Sequence, residues 1–248
     1  MSALARIDDL HISFGGVAAA NGVSFAVERG EFLAVIGPNG AGKTTALRMV
    51  AGILRPDSGR VFFDDRDVTR LPVHARARLG LGFTHQIVRP FYGFSTVENV
   101  MLAAGHRETS SPWRALTSRS RDLAREKART ILERIGLSAQ AASSPRALPL
   151  GQRKRLEVAR AIALDPRLLL LDEPLAGLSS AEAAAMADLI SGLPAQGITV
   201  VLVEHNLGEV LRVADRLVVL DAGKVLAEGV PAEVMKRADV RQAYTGVV

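Results

Sequence analysis

The sequence predicts an α/β fold: a parallel sheet flanked by helices, with short strands at the N-terminus and an inserted helical piece. Three observations carry that prediction. A buried strand, "GEFLAVIG", runs straight into the glycine-rich "GPNGAGKTT" and then into a stretch of helical periodicity. The apolar runs "RLLLL" and "ITVVLV" alternate with helical segments, as strands buried on both faces do. From about Ile87 to Leu148 the texture changes to helices and polar connections.

Taken in order, "LARIDDLHISF" and "NGVSFAVERGE" read as short strands, the second with alternating Val23, Phe25 and Val27. After the glycine-rich loop, "TTALRMVAGIL" is helical through Leu47, Val50 and Leu54 and stops at the turn cluster "RPDSG". "GRVFFDDRDV" returns to strand. In the inserted region "STVENVMLAAG" opens with a Ser/Thr cap signal and Glu98. "SRDLAREKARTILERIGL" puts Leu123, Ala128, Ile131, Leu132 and Ile135 on one face, and the connection between these helices, with Trp113 and Leu116, reads as exposed. "RALPLGQRKRLEVARAIA" starts a helix with Arg153, Lys154 and Arg155 near its beginning, as an anion site would. "AEAAAMADLISGL" is a helix, "GITVVLVEH" a buried strand and "LGEVLRVA" a helix. "DRLVVLDAGKVLAEG" is a hairpin turning at Asp221-Ala222-Gly223-Lys224. There is no internal repeat.

Composition bounds the function. The 248 residues, 48% hydrophobic and 23% charged, suffice for a large core. Without cysteine, disulfides and thiolate metal sites are excluded. Asp8 and Asp9 fall where the apolar core of a leader peptide would be, so none is expected. The apolar runs are too short to span a membrane, and a soluble or peripheral protein is expected. A net charge of +5 raises nucleic acid as a partner. The arginines are spread along the chain, however, and aromatics make up only 4%, which leaves few stacking platforms. No direct nucleic-acid contact is expected.

The chemistry concentrates in a few positions. "GPNGAGKT" fits the phosphate-loop pattern G-x-x-x-x-G-K-[ST]. Gly37, Gly40 and Gly42 would let the loop, with Pro38, Asn39 and Ala41 between them, curl so that successive N–H groups point inward at a helix start and cradle phosphates. Lys43 would reach the β- and γ-phosphates, Thr44 would offer its hydroxyl to Mg²⁺, and Thr45 continues the site. "LLLLDE" delivers Asp172 and Glu173 to a strand end, where ligands sit in open α/β sheets. Asp172 suits the outer sphere of Mg²⁺ and Glu173 the base that orients or deprotonates water. His205 closes a third strand at the same edge, placed for the γ-phosphate and the water, and Gln86 ends "LGLGFTHQ", where its amide could meet Mg²⁺ and water.

This set resembles the ATP-binding subunits of ABC transporters, over essentially the whole chain. The resemblance implies a P-loop NTPase core with an N-terminal antiparallel β subdomain and an inserted α-helical subdomain. Residues 1–87 and 157–248 would form the core and 88–156 the insertion. It implies ATP and Mg²⁺ as cofactors, and a head-to-tail dimer with each ATP between the phosphate loop of one subunit and the signature helix of the other. Here the signature is Leu148, Pro149, Leu150, Gly151 and Gln152, and by analogy Phe14 in "ISFGG" stacks on adenine. The insertion and the segment after Gln86 would dock on two permease subunits, at the cytoplasmic face of the membrane.

"SFGGVAAANGVSF", "GLGFTHQIVRPFYGFSTVENVMLA" and the tail "DVRQAYTG" are similar to the ATPases of branched-chain amino acid uptake systems. Those systems generally use two different ATPase subunits and a periplasmic solute-binding protein, and related members serve urea, amides and other metabolites. Two positions depart from the family pattern. Leu-Pro-Leu-Gly-Gln replaces Leu-Ser-Gly-Gly-Gln, removing a hydroxyl and an N–H, and Ser179 stands where the dimer-contacting loop usually has Asp. The alternatives are a soluble nucleic-acid-associated ABC protein, supported only by the basic charge, and a regulatory nucleotide binder, which the presence of Glu173 opposes.

Overall fold

The computed structural model describes residues 3–84, 89–105 and 118–245. Strands β1 (Ala3–Phe14) and β2 (Val17–Glu28) form an antiparallel hairpin, followed by β3 (Phe32–Ile36) and helix α1 (Lys43–Ala51). Helix α1 ends sooner than the apolar spacing suggests: Gly52 takes a left-handed C-cap at φ 79°, so Leu54 lies beyond the helix. Strands β4 (Ser58–Phe63) and β5 (Arg66–Asp67) divide what reads as one strand. Asp64 and Asp65 both adopt positive φ, 53° and 60°, which turns the chain into a tight hairpin.

Then come α2 (Val73–Arg78), β6 (Leu81–Thr84) and α3 (Thr96–Ala104), whose Ser95–Glu98 capping box matches the sequence signal. Helices α4 (Ser118–Arg134) and α5 (Leu150–Ala163) pack against α3 and lead into β7 (Leu168–Asp172). The chain closes with α6 (Ser180–Ser191), β8 (Thr199–Val203), α7 (Leu207–Val213), β9 (Arg216–Asp221), β10 (Lys224–Gly229), α8 (Pro231–Val234) and α9 (Ala238–Thr245).

Among the described residues there are two sheets. One is antiparallel, in the order β2-β1-β4-β5; the other runs β10-β9-β3-β8-β7-β6 and is parallel except for the β9–β10 hairpin. The parallel strands are apolar throughout because both faces are covered. Ala34, Ile36, Leu169, Leu171, Val200 and Leu202 face the cluster built with α4, α5 and α6. Leu33, Val35, Leu168, Leu170, Val201 and Val203 face α1 and the antiparallel sheet.

Two readings need correction. Leu123 is not on the buried face of α4: it is 55% exposed, whereas Ala128, Ile131, Leu132 and Ile135 are buried as expected. Residues 121–126 of α4 are mostly exposed and burial begins in earnest at Ala128, so the period is right but the packed length is shorter. Lys154, read with Arg153 and Arg155 as part of a basic helix start, points inward and is 6% exposed. Trp113 and Leu116 lie outside the described residues.

Candidate functional site

Register alignment assembles the site. Val35, Val203 and Asp172 are paired across β3, β8 and β7, so the three chains leave the sheet at one edge. From that edge β3 enters the glycine-rich loop, β7 delivers Asp172 and Glu173, and β8 delivers Glu204 and His205.

The loop depends on residues without a Cβ. Gly42 caps α1 at φ 93°, and a methyl group there would lie 2.2 Å from the Ala19 carbonyl. A Cβ at Gly37 would meet the Leu220 carbonyl at 2.0 Å. The loop is therefore gripped by the antiparallel sheet on one side and by β9 on the other. Gly223, at the β9–β10 turn, completes the grip: its N–H donates to Ala41 O (3.1 Å), and its carbonyl accepts from Asn21 N–H (2.7 Å).

Lys43 is buried, with Nζ donating to the Gly37 and Pro38 carbonyls at 2.7 and 2.9 Å. Burial lowers its pKa, opposed by the charges of Glu173 and Asp172. Asp172 is 1% exposed and accepts the Thr44 hydroxyl at 2.9 Å, with the Arg48 guanidinium 4.0 Å from its other oxygen. Two of the three groups expected at Mg²⁺ are thus in contact, hard oxygen donors that suit this ion. Loop, ammonium and oxygen pair fit a magnesium-bound nucleoside triphosphate.

Glu173 adopts φ 51°, a left-handed conformation that costs a non-glycine residue energy. The His205 Nδ1 lies 4.0 Å from Glu173 Oε1 and 3.9 Å from Glu204 Oε2. Phe14 is exposed at the β1–β2 hairpin tip, paired with exposed Val17. Gln86 lies outside the described residues. In the signature segment Leu148 is buried and Pro149 is the N-cap residue of α5, with φ −55° and no side-chain cap. The proline therefore costs the helix no internal hydrogen bond. A Cβ at Gly151 would sit 2.6 Å from Oε1 at the end of the Glu182 side chain, which would have to move aside. Ser179, the other departure, caps α6 in a reciprocal box with Glu182.

The model of the ABC transporter family matches residues 20–176, from β2 through the phosphate loop to just past Glu173. The chain belongs to the ABC transporter family. An ABC transporter relative from Pseudomonas aeruginosa, the high-affinity branched-chain amino acid transport ATP-binding protein BraF, is 38% identical over 248 residues, covering 97% of each chain. The lipopolysaccharide export system ATP-binding protein LptB of Acidithiobacillus ferridurans is 37% identical over 246 residues, 99% of this chain and 98% of its own. Among solved structures, an ATP-binding cassette of an ABC transporter in its ADP conformation superposes with a TM-score of 0.87, at 30% identity and complete coverage of both chains. A nucleotide-free cassette gives 0.85 at 29% identity, over 98% of this chain and 99% of that one.

The chain is thus the ATPase subunit of an ABC transporter and binds ATP with Mg²⁺. Subunits of this family dimerise and work with permease subunits. Among the described residues no helix is long and apolar enough to cross a membrane.

Sequence reasoning missed Lys154 and Glu204. Lys154 interrupts an apolar helix stripe through Gly151, Val158 and Ala161, and Glu204 ends a wholly buried strand; both interruptions are visible in the sequence.

Proposed function

We propose that this chain energises import of a small polar solute, with branched-chain amino acids the first candidate. The observation that carries the catalytic part is the Thr44–Asp172 contact beside Glu173 and His205 on one sheet edge. Glycine-loop N–H groups and Lys43 hold the phosphates, while Thr44, Asp172 and Gln86 would hold Mg²⁺, which would supply positive charge against the phosphates. Glu173 takes the proton of the attacking water, and His205 orients water and γ-phosphate. Catalysis is then largely positioning and charge neutralisation.

Phe14, exposed at its hairpin tip, stacks on adenine, and the α5 start with Gly151 and Gln152 faces the nucleotide of a second ATPase subunit. The permease docks on a groove of about 430 Å³ lined by Phe83, Phe91, Leu102, Glu157 and Arg160. Phe91, Tyr92 and Phe94 are exposed beside it, an apolar patch suited to a partner helix. The subunit works at the cytoplasmic membrane face, with residues 88–156 as its permease-facing insertion and a solute-binding protein on the opposite side.

The LptB relatives support a second reading, lipopolysaccharide export, at almost the same identity. Vesicles carrying the chain with its permease subunits separate the two. Import predicts ATP-dependent leucine accumulation stimulated by the binding protein and abolished by Glu173→Gln. ATPase activity stimulated by lipopolysaccharide, with no leucine uptake, overturns the import reading. The Glu173→Gln protein should still bind ATP and accumulate as an ATP-trapped dimer; parental turnover would refute the base assignment.

A further inference from the structure

The stripe of α5 that carries Gly151, Val158 and Ala161 into the core also carries a cation. Lys154 is 6% exposed, and its Nζ donates to the Glu173 backbone carbonyl at 2.9 Å. The Glu173 N–H donates to Val203 O at 3.0 Å. Both backbone polar groups of this left-handed residue are therefore tied, one to the middle of the parallel sheet and the other to the signature helix.

Glu204 lies on the other side of the same segment, 1% exposed. Its Oε1 accepts the Leu175 N–H at 2.6 Å and its Oε2 the His205 N–H at 3.2 Å. One buried carboxyl thus fixes both the residue two beyond Glu173 and the histidine facing it. Burial pushes the Lys154 pKa down, opposed by the charges of Glu204, Glu157 and Glu173. Burial pushes the Glu204 carboxyl up, opposed by the two N–H groups it accepts. An ammonium that merely filled space would be replaced at little cost by an apolar chain of the same length. This one spends a buried charge on a single carbonyl.

We propose that Lys154 is a positioning residue. It holds the strained Glu173 backbone so that the carboxylate faces the attacking water, and the Glu204 charge keeps the ammonium in place. The inference rests on Glu173 being the general base. It also gives the site a link that the active-site residues alone do not supply. The helix whose first turn faces the partner's nucleotide bears, one turn later, the group that aims this chain's own base. A shift of α5 on dimer closure is transmitted to Glu173 through one hydrogen bond.

The test uses the full chain assembled with its permease subunits, measuring steady-state ATP hydrolysis and nucleotide affinity. Lys154→Met should lower kcat about 10- to 100-fold, the scale of a misplaced reacting group. KM and ATP affinity should stay within about threefold, and Lys154→Arg should recover most of the rate. In the Glu173→Gln background, Lys154→Met should cause no further loss. Lys154→Gln, too short to span the distance, should show the same kcat-specific loss and serves if the Met variant does not fold. Parental kcat in either variant, a KM effect without a kcat effect, or an undiminished loss in the Glu173→Gln background overturns the proposal. Parental turnover by Glu173→Gln overturns the base reading and this role with it. An inactive Glu173→Gln beside fully active Lys154 variants removes the positioning role alone.

Discussion

Arg76 gives a sharp stability prediction, because it is a buried cation whose described hydrogen-bond partners are all backbone carbonyls. The residue is 1% exposed. Its guanidinium donates to Met49 O and Val50 O at 2.8 and 2.6 Å, to Leu71 O at 3.0 Å and to Thr69 O at 2.9 Å. Two of these carbonyls close the C-terminal turn of α1, the helix whose other end holds Lys43 and Thr44. Arg76→Met removes the donors and leaves four acceptors in a dry site. Hydrogen bonds to a charged group contribute about 1.5–3 kcal/mol each. Relief of the buried charge offsets part of that loss: burial pushes the Arg76 pKa down to about 10, a desolvation effect on the order of 3 kcal/mol. The net loss should be at least about 3 kcal/mol, the low end for four such bonds less that offset. For a domain of this size that lowers Tm by roughly 10 °C. Differential scanning fluorimetry of the parent, Arg76→Met and Arg76→Lys is the assay. Lysine, a point charge without the planar fork, should fall between the two. A methionine variant melting within about 2 °C of the parent would refute the reasoning.

Other expectations follow from the site and the surface. Lys43→Ala should abolish productive ATP binding, read by titration with a fluorescent nucleotide; unchanged affinity contradicts the phosphate role. In a transporter with two different ATPase chains, the ATP site facing this chain's "LPLGQ" should be the weaker. Disabling each phosphate loop in turn should cause unequal losses of transport, and equal losses count against the asymmetry. Asp64 is held by Arg167 and Arg29, whose hydrogen bonds lower its pKa to about 2 from 3.8. The folded-state value is depressed, so its contribution is complete above about pH 4 and disappears as pH falls toward 2. Asp64→Asn, which keeps a residue tolerant of positive φ, should remove that part of the acid dependence of Tm; an unchanged profile would contradict it.

Local patterns proved legible where the sequence states both partners. The Ser95–Glu98 box and the Asp221–Lys224 hairpin formed as read. Ser179 shows the opposite error. Read against the family pattern it is a loss, yet its spacing to Glu182 is itself a capping signal. Leu123 failed for a different reason, since periodicity identifies a helix face but not where the packing partner ends. Lys154 breaks an apolar stripe in the sequence, but Arg153 and Arg155 beside it make a run of charge that suggests solvent on every side. Only the three-dimensional path of β7 brings the Glu173 carbonyl to it.

The grip on the phosphate loop bears on how such a chain can diverge. Gly42 meets a backbone carbonyl of β2, not a side chain, and Gly223 is joined to both Ala41 and Asn21 through main-chain atoms. The direct contacts of that junction run from main chain to main chain, while the buried Ala20, Val23, Phe25 and Val27 hold β2 in the core. Phe14 and Val17, at the outer tip of the same hairpin, are exposed and take no part in those contacts. Under the proposed stacking of Phe14 on adenine, the contact with the base is open to drift where the hold on phosphate is not.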